Sequence, residues 1–404
     1  MSSFRQRFIV TRALKIAALA VGLMCATYAE RSYACDRPGI SVDWTPRIRS
    51  IFEEWKKVSN HPLIGRIWAK PFSENRVWRG EGLLTHNGYC DMMPWEVLGF
   101  ATFWPAIAIF GEVHDNPEHH KLRAALLDVA KFNDAAGGWP DGPAYKTSQY
   151  IWSKRGVVLE QFNASQQEGL KTFAELQTLG DSRALSYFKH FTDWEKSGWS
   201  KYAYDPLLQS LIDGTFPLQA GDVPREAVMK VAREGESALP EDERKRLKLD
   251  VPLGEKLDAA SIDEIDEAHC HAMPKEALGG LAFAQRYRDA TLADNVLTAV
   301  EKNGSAILFT GNNHVRTDRG VPWYIWNRAE DIKSDILGFA SENNLEIVKK
   351  RNVISIMLIE VEDGQNDPES YVPRDPDGKP AADYIIFTPR AERKDDPCDK
   401  FKGK

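Results

Sequence analysis

Two histidines follow apolar runs at the same spacing from a glycine, and they are the first candidates for chemistry. The run AIAIF leads into GEVH, which ends at His114, and AILFT leads into GNNH, which ends at His314. A third apolar run, VVL, is followed directly by Glu160. If the three runs are neighbouring parallel strands, these side chains meet at the carboxyl edge of the sheet, where open α/β sheets bind ligands.

Two imidazoles and one carboxylate form a ligand set for a divalent metal such as Zn, Mn or Co. His114, Glu160 and His314 would leave coordination positions open for water or substrate. Such a site suits a metal-dependent hydrolase, in which Glu112 is the candidate general base. The alternative is that each histidine is a structural residue, hydrogen-bonded inside the protein. The residues alone do not decide whether the chain is an enzyme.

A second concentration of ligand types is HCHAMP, which places His269 and His271 on either side of Cys270. Imidazole, thiolate and thioether groups can ligate a soft metal or haem iron. The alternative is a structural loop in which Cys270 forms a disulfide. Gln285 and Asp289 follow on a predicted helix, and their spacing of four residues places them on one face, where they can line the site.

Two further residues are candidates for contact with a haem group. Arg316 can pair with carboxylates such as haem propionates. Tyr204 closes an aromatic cluster in the segment WEKSGWSKYAYDPL, and a tyrosinate can ligate ferric iron. Aromatic residues at this density also form ordinary protein core, so the cluster alone does not decide between the two roles.

Short apolar runs alternate with stretches of helical length, which predicts an α/β fold: a mainly parallel β-sheet flanked by helices, with a smaller helical insertion. A long helix is expected over about 275–302. The predicted organisation is a leader over 1–29, an N-terminal extension over 30–100 packed on the core, a core over 101–162 and 269–390 with a strand at 215–220, a mostly helical insertion over 163–268, and a tail over 391–404.

The leader carries four basic residues, no acidic residue and a 14-residue apolar run from Ile16 to Ala29. This pattern is typical of a secretory signal peptide, because a membrane-spanning helix needs about 20 apolar residues. We therefore expect an exported, periplasmic protein, with lipid anchoring as the weaker alternative. A net charge of −7 argues against nucleic-acid binding. No serine-hydrolase, nucleotide-binding or dinucleotide-binding motif is present.

An exported chain lies in an oxidising compartment, where its cysteines can pair. Cys35, Cys90, Cys270 and Cys398 would remain after cleavage of the leader. Four cysteines allow three connectivities, and the sequence does not choose among them. A bridge between Cys35 and Cys398, near the two ends, is one hypothesis.

The sequence resembles the ChaN-like haem-binding proteins. The resemblance lies in GEVHDNPEHH, VVLEQF, SGW with the following YDPL, HCHAMP, AQRYRDA and GNNHVRTDRGVP, which occur in order across most of the chain. It implies haem as the cofactor, a role in haem or iron uptake, and an α/β core with a smaller helical part. The expected partners are haem and an outer-membrane or periplasmic uptake component, with a homodimer as a further possibility. The related Tiki and erythromycin esterase-like proteins imply the hydrolase as the alternative.

Overall fold

The computed structural model describes residues 46–70, 98, 106–135, 155–176, 182–328, 353–396 and 398–399. The predicted leader, Cys35 and Cys90 lie outside the described residues. All described residues belong to one unit, Trp44–Ser73 together with Pro94–Lys404. No helix within this described part is long and apolar enough to span a bilayer.

Seven strands form one sheet in the order β1-β7-β6-β2-β5-β3-β4. The strands are β1 (Ile67–Ala69), β2 (Ile107–Phe110), β3 (Gly156–Asn163), β4 (Leu218–Asp222), β5 (Ala306–Phe309), β6 (Val353–Glu360) and β7 (Tyr384–Thr388). All neighbours pair in parallel except β1, which runs antiparallel to β7 at the edge. The predicted α/β class with a mainly parallel sheet is therefore confirmed.

The central strands are apolar throughout because helices cover both faces of the sheet. Every residue of β2 and β5 is buried, and the sequence runs that predicted them are AIAIF and AILF. The short edge strand β1 was not predicted from the sequence. Three residues carry too little periodicity to be recognised, and the strand depends on its pairing with β7.

Ten helices are described. They are α1 (Pro46–Val58), α2 (Pro117–Ala135), α3 (Gln167–Leu176), α4 (Ala184–Phe191), α5 (Asp205–Gly214), α6 (Arg225–Glu234), α7 (Glu241–Arg246), α8 (Glu255–Ala268), α9 (Lys275–Asn303) and α10 (Val321–Arg328). The predicted long helix is α9. Its start and that of α6 follow a proline, and α2 begins at Pro117 behind Asn116, whose side chain accepts a hydrogen bond from the Glu118 amide.

The segment between β3 and α9 is mostly helical and also contains β4, close to the strand predicted over 215–220. This strand pairs in parallel with β3 and extends the sheet at one edge. In the N-terminal extension, α1 packs against α2, where the Trp55 indole donates a hydrogen bond to Glu118 at 2.7 Å.

Candidate functional site

The carboxyl ends of β2, β5 and β3 lie side by side, since β5 pairs with both of the other strands. Glu112 and His114 follow β2, His314 follows β5, and Glu160 lies within β3. The sheet order therefore brings together the histidines and carboxylates that the sequence pattern placed at strand ends. Nε2 of His114 lies 3.9 Å from Oε1 of Glu160, and Nε2 of His314 lies 3.4 Å from the same atom.

Gly311 makes this close approach possible. A Cβ atom at this position would lie 2.8 Å from Cε1 and Nε2 of His114, which is closer than real side chains allow. Gly311, the glycine of the GNNH pattern, therefore leaves room for the imidazole of His114, which follows the neighbouring strand β2.

Glu112 is fully surrounded by protein groups. Its Oε1 accepts hydrogen bonds from the Tyr204 hydroxyl at 2.5 Å and from Gln161 at 3.1 Å, and it lies 2.9 Å from Nδ1 of His114. Its other oxygen forms an ion pair with the buried guanidinium of Arg123. Burial alone would raise the pKa of Glu112, but Arg123 and His114 outweigh it and the pKa is lowered. Glu112 is therefore ionised, and it connects several side chains inside the protein.

Glu160 is a second buried carboxylate that connects several protein groups. Its Oε2 accepts hydrogen bonds from the Thr310 hydroxyl at 2.7 Å and the Gly311 amide at 2.6 Å, and its Oε1 pairs with Arg288 at 2.7 Å. Burial opposes ionisation, but His314 and His114 hold the pKa of Glu160 well below its usual range. Both of its oxygens are thus already bonded to protein donors.

Each strand-end histidine is held by a carboxylate on its Nδ1 side. His314 is 3% exposed, and its Nδ1 lies 2.7 Å from Asp289, with Gln285 at 3.1 Å. Burial disfavours its charged form, but Glu160 and Asp289 raise the pKa of His314 to about 10. His114 is more accessible, with 35% of its side chain exposed, and its ring meets that of Trp199 edge to face.

The predicted metal ligands therefore converge, yet their chemistry favours an ion-pair network. A metal needs neutral imidazoles and a carboxylate with a free lone pair. Glu160 and Asp289 raise the pKa of His314, which favours its protonated form, and both oxygens of Glu160 already accept hydrogen bonds, from Arg288, Thr310 and Gly311. In the ranges that the structure describes, no group of three or more His, Cys, Asp or Glu residues is arranged to hold a metal ion.

The structure places Tyr204, predicted as a ligand of ferric iron, inside the protein. Its side chain is fully buried, stacks on His120 at 3.9 Å and donates its hydroxyl proton to Glu112. Burial and the charge of Glu112 raise the pKa of Tyr204 well above its usual value, so a tyrosinate is strongly disfavoured.

Arg316, predicted to pair with haem propionates, is also bonded to protein groups in this structure. Its guanidinium pairs with Asp318 at 2.7 Å and 3.0 Å and donates to the Arg374 carbonyl at 3.0 Å. Gln285 and Asp289 do share one face of α9, as predicted, but that face contacts His314 rather than solvent.

His269 and His271 lie apart from this cluster, in the loop between α8 and α9. Asp289 is 14 residues beyond the start of α9, about 21 Å along the helix axis. Nδ1 of His269 lies 2.7 Å from the Ile265 carbonyl, and Nδ1 of His271 lies 2.6 Å from Asp266. The His271 side chain is 70% exposed, so its Nε2 side faces solvent.

The loop is held in an uncommon backbone conformation. Cys270 and His271 both adopt positive φ angles, 55° and 56°, at a cost of roughly 1–3 kcal/mol each. The Cys270 amide donates to the Glu267 carbonyl at 2.8 Å, and the His271 amide donates to the Asp266 carbonyl at 2.9 Å. These bonds wrap the loop over the end of α8 and fix where both imidazoles stand.

A disulfide joins Cys270 to Cys398 in the C-terminal tail, across a Cα–Cα distance of 5.7 Å. The hypothesis of a bridge between Cys35 and Cys398 is therefore wrong. The position of a cysteine near a chain end does not determine its partner, since Cys398 pairs with a residue 128 positions away. The sequence left two roles open for Cys270, a ligand of a metal or haem and a disulfide in a structural loop. The structure shows the disulfide.

Sequence reasoning missed the two arginines that make the buried cluster possible. Arg123 lies among buried leucines on α2 and reaches Glu112 and the Phe110 carbonyl. Arg288 bridges Glu160 and Asp222. A lone charge inside an apolar helical stripe was the available signal for Arg123, since a buried charge requires a partner.

Comparison with known proteins agrees with the resemblance found in the sequence. A family model described as haem-binding uptake, Tiki superfamily, ChaN matches residues 106–325. No curated protein sequence matches the chain. Among solved structures, ChaN of Campylobacter jejuni, described for cofacial heme binding, is 15% identical over 72% of this chain and 90% of that chain, with a TM-score of 0.46.

A protein from Bacillus cereus is 12% identical over 80% of this chain and 82% of that chain, with a TM-score of 0.32. The family match spans the sheet core from β2 to β5, both Gly-x-x-His segments, the buried cluster and the loop between α8 and α9. Since it covers more than half of the 404 residues, the chain belongs to the ChaN family of haem-binding uptake proteins in the Tiki superfamily.

Proposed function

We propose that this protein binds haem and that His271 is an axial ligand of the iron. The observation that carries the proposal is the state of its imidazole: Nδ1 is held by Asp266 at 2.6 Å while most of the side chain is exposed. Histidines that ligate metals in proteins characteristically have the second ring nitrogen bonded to a carboxylate or carbonyl, which fixes the ring and makes the ligand more basic.

The donor set of the loop fits haem. His269 has its Nδ1 side bonded to the Ile265 carbonyl, and Met273 stands two residues beyond His271. Imidazole and thioether are established axial ligands of haem iron. When bound, haem would supply an iron centre with its redox chemistry, while the protein would supply the ligand, its orientation and its protection from exchange.

The test is a hemin titration followed by the Soret band. The wild-type protein is expected to shift and sharpen the band, and His271→Ala to weaken binding by roughly tenfold or more. His190→Ala is the matched control, since His190 is an exposed histidine at the end of α4 and is expected to leave binding unchanged. Equal affinity of His271→Ala and the wild type would remove His271 from the site, and absence of any Soret shift in the wild type would end the proposal.

We also propose that the protein works after export, as a periplasmic component of haem or iron uptake that receives or delivers haem. The support is the basic and apolar leader over 1–29, together with the uptake role described for the family. N-terminal sequencing of the protein from a periplasmic fraction tests it. Loss of the leader supports export, and an intact leader on protein retained in the cytoplasm contradicts it.

The metal-dependent hydrolase is not proposed as a second function. Its three ligands meet, but the neighbouring carboxylates raise the pKa of His314 and Glu160 is bonded through both oxygens. Nothing in the described part of the chain specifically favours hydrolysis over the ion-pair network. Light scattering with and without hemin measures whether the protein forms the homodimer that the family resemblance allows.

A further inference from the structure

The C-terminal tail connects the strand-end cluster with the loop between α8 and α9. At one end, Arg393 pairs with Asp115 at 2.6 Å and with Glu360 at 2.8 Å, next to His114 at the carboxyl edge of the sheet. At the other end, Cys398 is bonded to Cys270, between the two histidines of the loop.

The tail between these anchors is short. Five peptide units separate Arg393 from Cys398, and such a segment spans at most about 18 Å when fully extended. The tail therefore keeps the loop between α8 and α9 at a limited distance from the strand ends. Both sulfur-bearing residues are only partly buried, so the disulfide can be reached by a reactant from solution.

We propose that the disulfide between Cys270 and Cys398 is a lock on the haem site, opened by a dithiol partner to release haem. The inference rests on the proposed binding of haem at His271. With the bond closed, the tail is fastened to the residue that directly precedes the proposed ligand. With the bond open, the tail remains held at Arg393 but no longer restrains the loop, and haem leaves faster.

The opening step is thiol–disulfide exchange. A thiolate of the partner attacks one sulfur of the bridge, forms a mixed disulfide and expels the other cysteine as a thiolate, which takes up a proton. The second thiol of the partner then resolves the mixed disulfide. The bridge gains two electrons and two protons, and the partner's dithiol is oxidised to a disulfide.

Reduction of the disulfide does not remove the contacts that orient the His271 ring. The backbone bonds from Cys270 to Glu267 and from His271 to Asp266, and the contact of the His271 ring with Asp266, all lie within the loop and the end of α8. They do not involve the tail. The lock therefore acts on access and release, while the imidazole keeps its orientation.

The experiment measures transfer of hemin from the loaded full-length protein to apomyoglobin. Oxidised wild-type protein is compared with Cys398→Ser and with the double variant Cys270→Ser/Cys398→Ser, all retaining Cys35 and Cys90. Both variants are expected to release hemin roughly tenfold faster than the wild type. Wild-type protein reduced with a phosphine gives the same comparison of release rates without any substitution. The test therefore remains valid if a variant fails to fold.

The outcomes separate the lock from the proposed function. Equal release rates in all forms that bind hemin would overturn the lock alone. Faster release in Cys398→Ser that returns to the wild-type rate in the double variant would also overturn it, because the effect would then come from the freed Cys270 thiol. Failure of every form to take up hemin would overturn haem binding, and the lock with it.

Discussion

The buried strand-end cluster and the exposed loop between α8 and α9 contain the same kinds of side chain in opposite environments. In the cluster, His314 is 3% exposed and lies between two carboxylates that raise its pKa. In the loop, His271 is 70% exposed and is held by a single aspartate on one side of its ring. The cluster therefore stabilises the fold, and the loop is where we propose the haem ligand. Residue type alone did not distinguish these roles; burial and the number of partners do.

The largest effect on stability is expected from Arg123→Ala. The substitution leaves the buried carboxylate of Glu112 without its cation and removes a hydrogen bond to the Phe110 carbonyl. Losing one partner of a buried ion pair destabilises proteins by about 3–5 kcal/mol. Urea unfolding measures the effect, with Lys171→Ala in the exposed pair with Glu168 as control, where about 0–1 kcal/mol is expected. A similar loss in both variants would show that the cluster is no more stabilising than a surface pair.

The second prediction concerns pH. Because the folded state raises the pKa of His314 from 6.5 to about 10, its stabilising contribution is complete below pH 6.5 and is lost as the pH rises towards 10. The wild type should lose on the order of 4 kcal/mol more than His314→Gln across this interval. Unfolding free energies at both pH values, for both proteins, measure it. Parallel pH profiles would mean that His314 is neutral in the fold.

The third prediction concerns the bridge that fastens the tail to the loop. Cys270 and Cys398 are 128 residues apart in sequence, and removing such a cross-link typically costs about 2–4 kcal/mol. Cys398→Ser should show this loss in denaturant unfolding under oxidising conditions, and none relative to the wild type once both are reduced. Peptide mapping without reductant checks the pairing itself, and recovery of Cys398 linked to another cysteine would contradict it.

The smallest effect on stability is expected at the proposed ligand. His271→Ala removes an exposed side chain with one surface contact, and such changes usually alter stability very little. Thermal unfolding without hemin should therefore superimpose on the wild type. A large loss of stability would mean that the loop, like the cluster, is a structural element.

The sheet was predictable because its central strands are continuous apolar runs, as in AIAIF and AILF, separated by helices of recognisable length. The meeting of His114, His314 and Glu160 was also predictable, since it follows from parallel strands that end at one edge. The roles of these groups were not predictable, because they depend on ion pairs with Arg123 and Arg288, and the sequence pattern does not show that these helical side chains reach Glu112 and Glu160.

The disulfide and the burial of Tyr204 escaped prediction for the same reason. The partner of Cys270 depends on the path of the tail, which Arg393 directs past Asp115. Tyr204 belongs to a segment rich in aromatic residues, and only the packed structure separates the buried Tyr204 from the half-exposed Trp199 and Tyr202. In both cases the deciding contacts are long-range.

The most direct test of this division of roles is hemin binding by His271→Ala and Tyr204→Phe, measured side by side with the wild type by Soret titration. The exposed histidine and the buried tyrosine were equal candidates in the sequence, and the structure separates them. We predict that His271→Ala loses affinity by roughly tenfold or more and that Tyr204→Phe keeps the wild-type affinity and spectrum. Retained binding in His271→Ala together with lost binding in Tyr204→Phe would contradict the account.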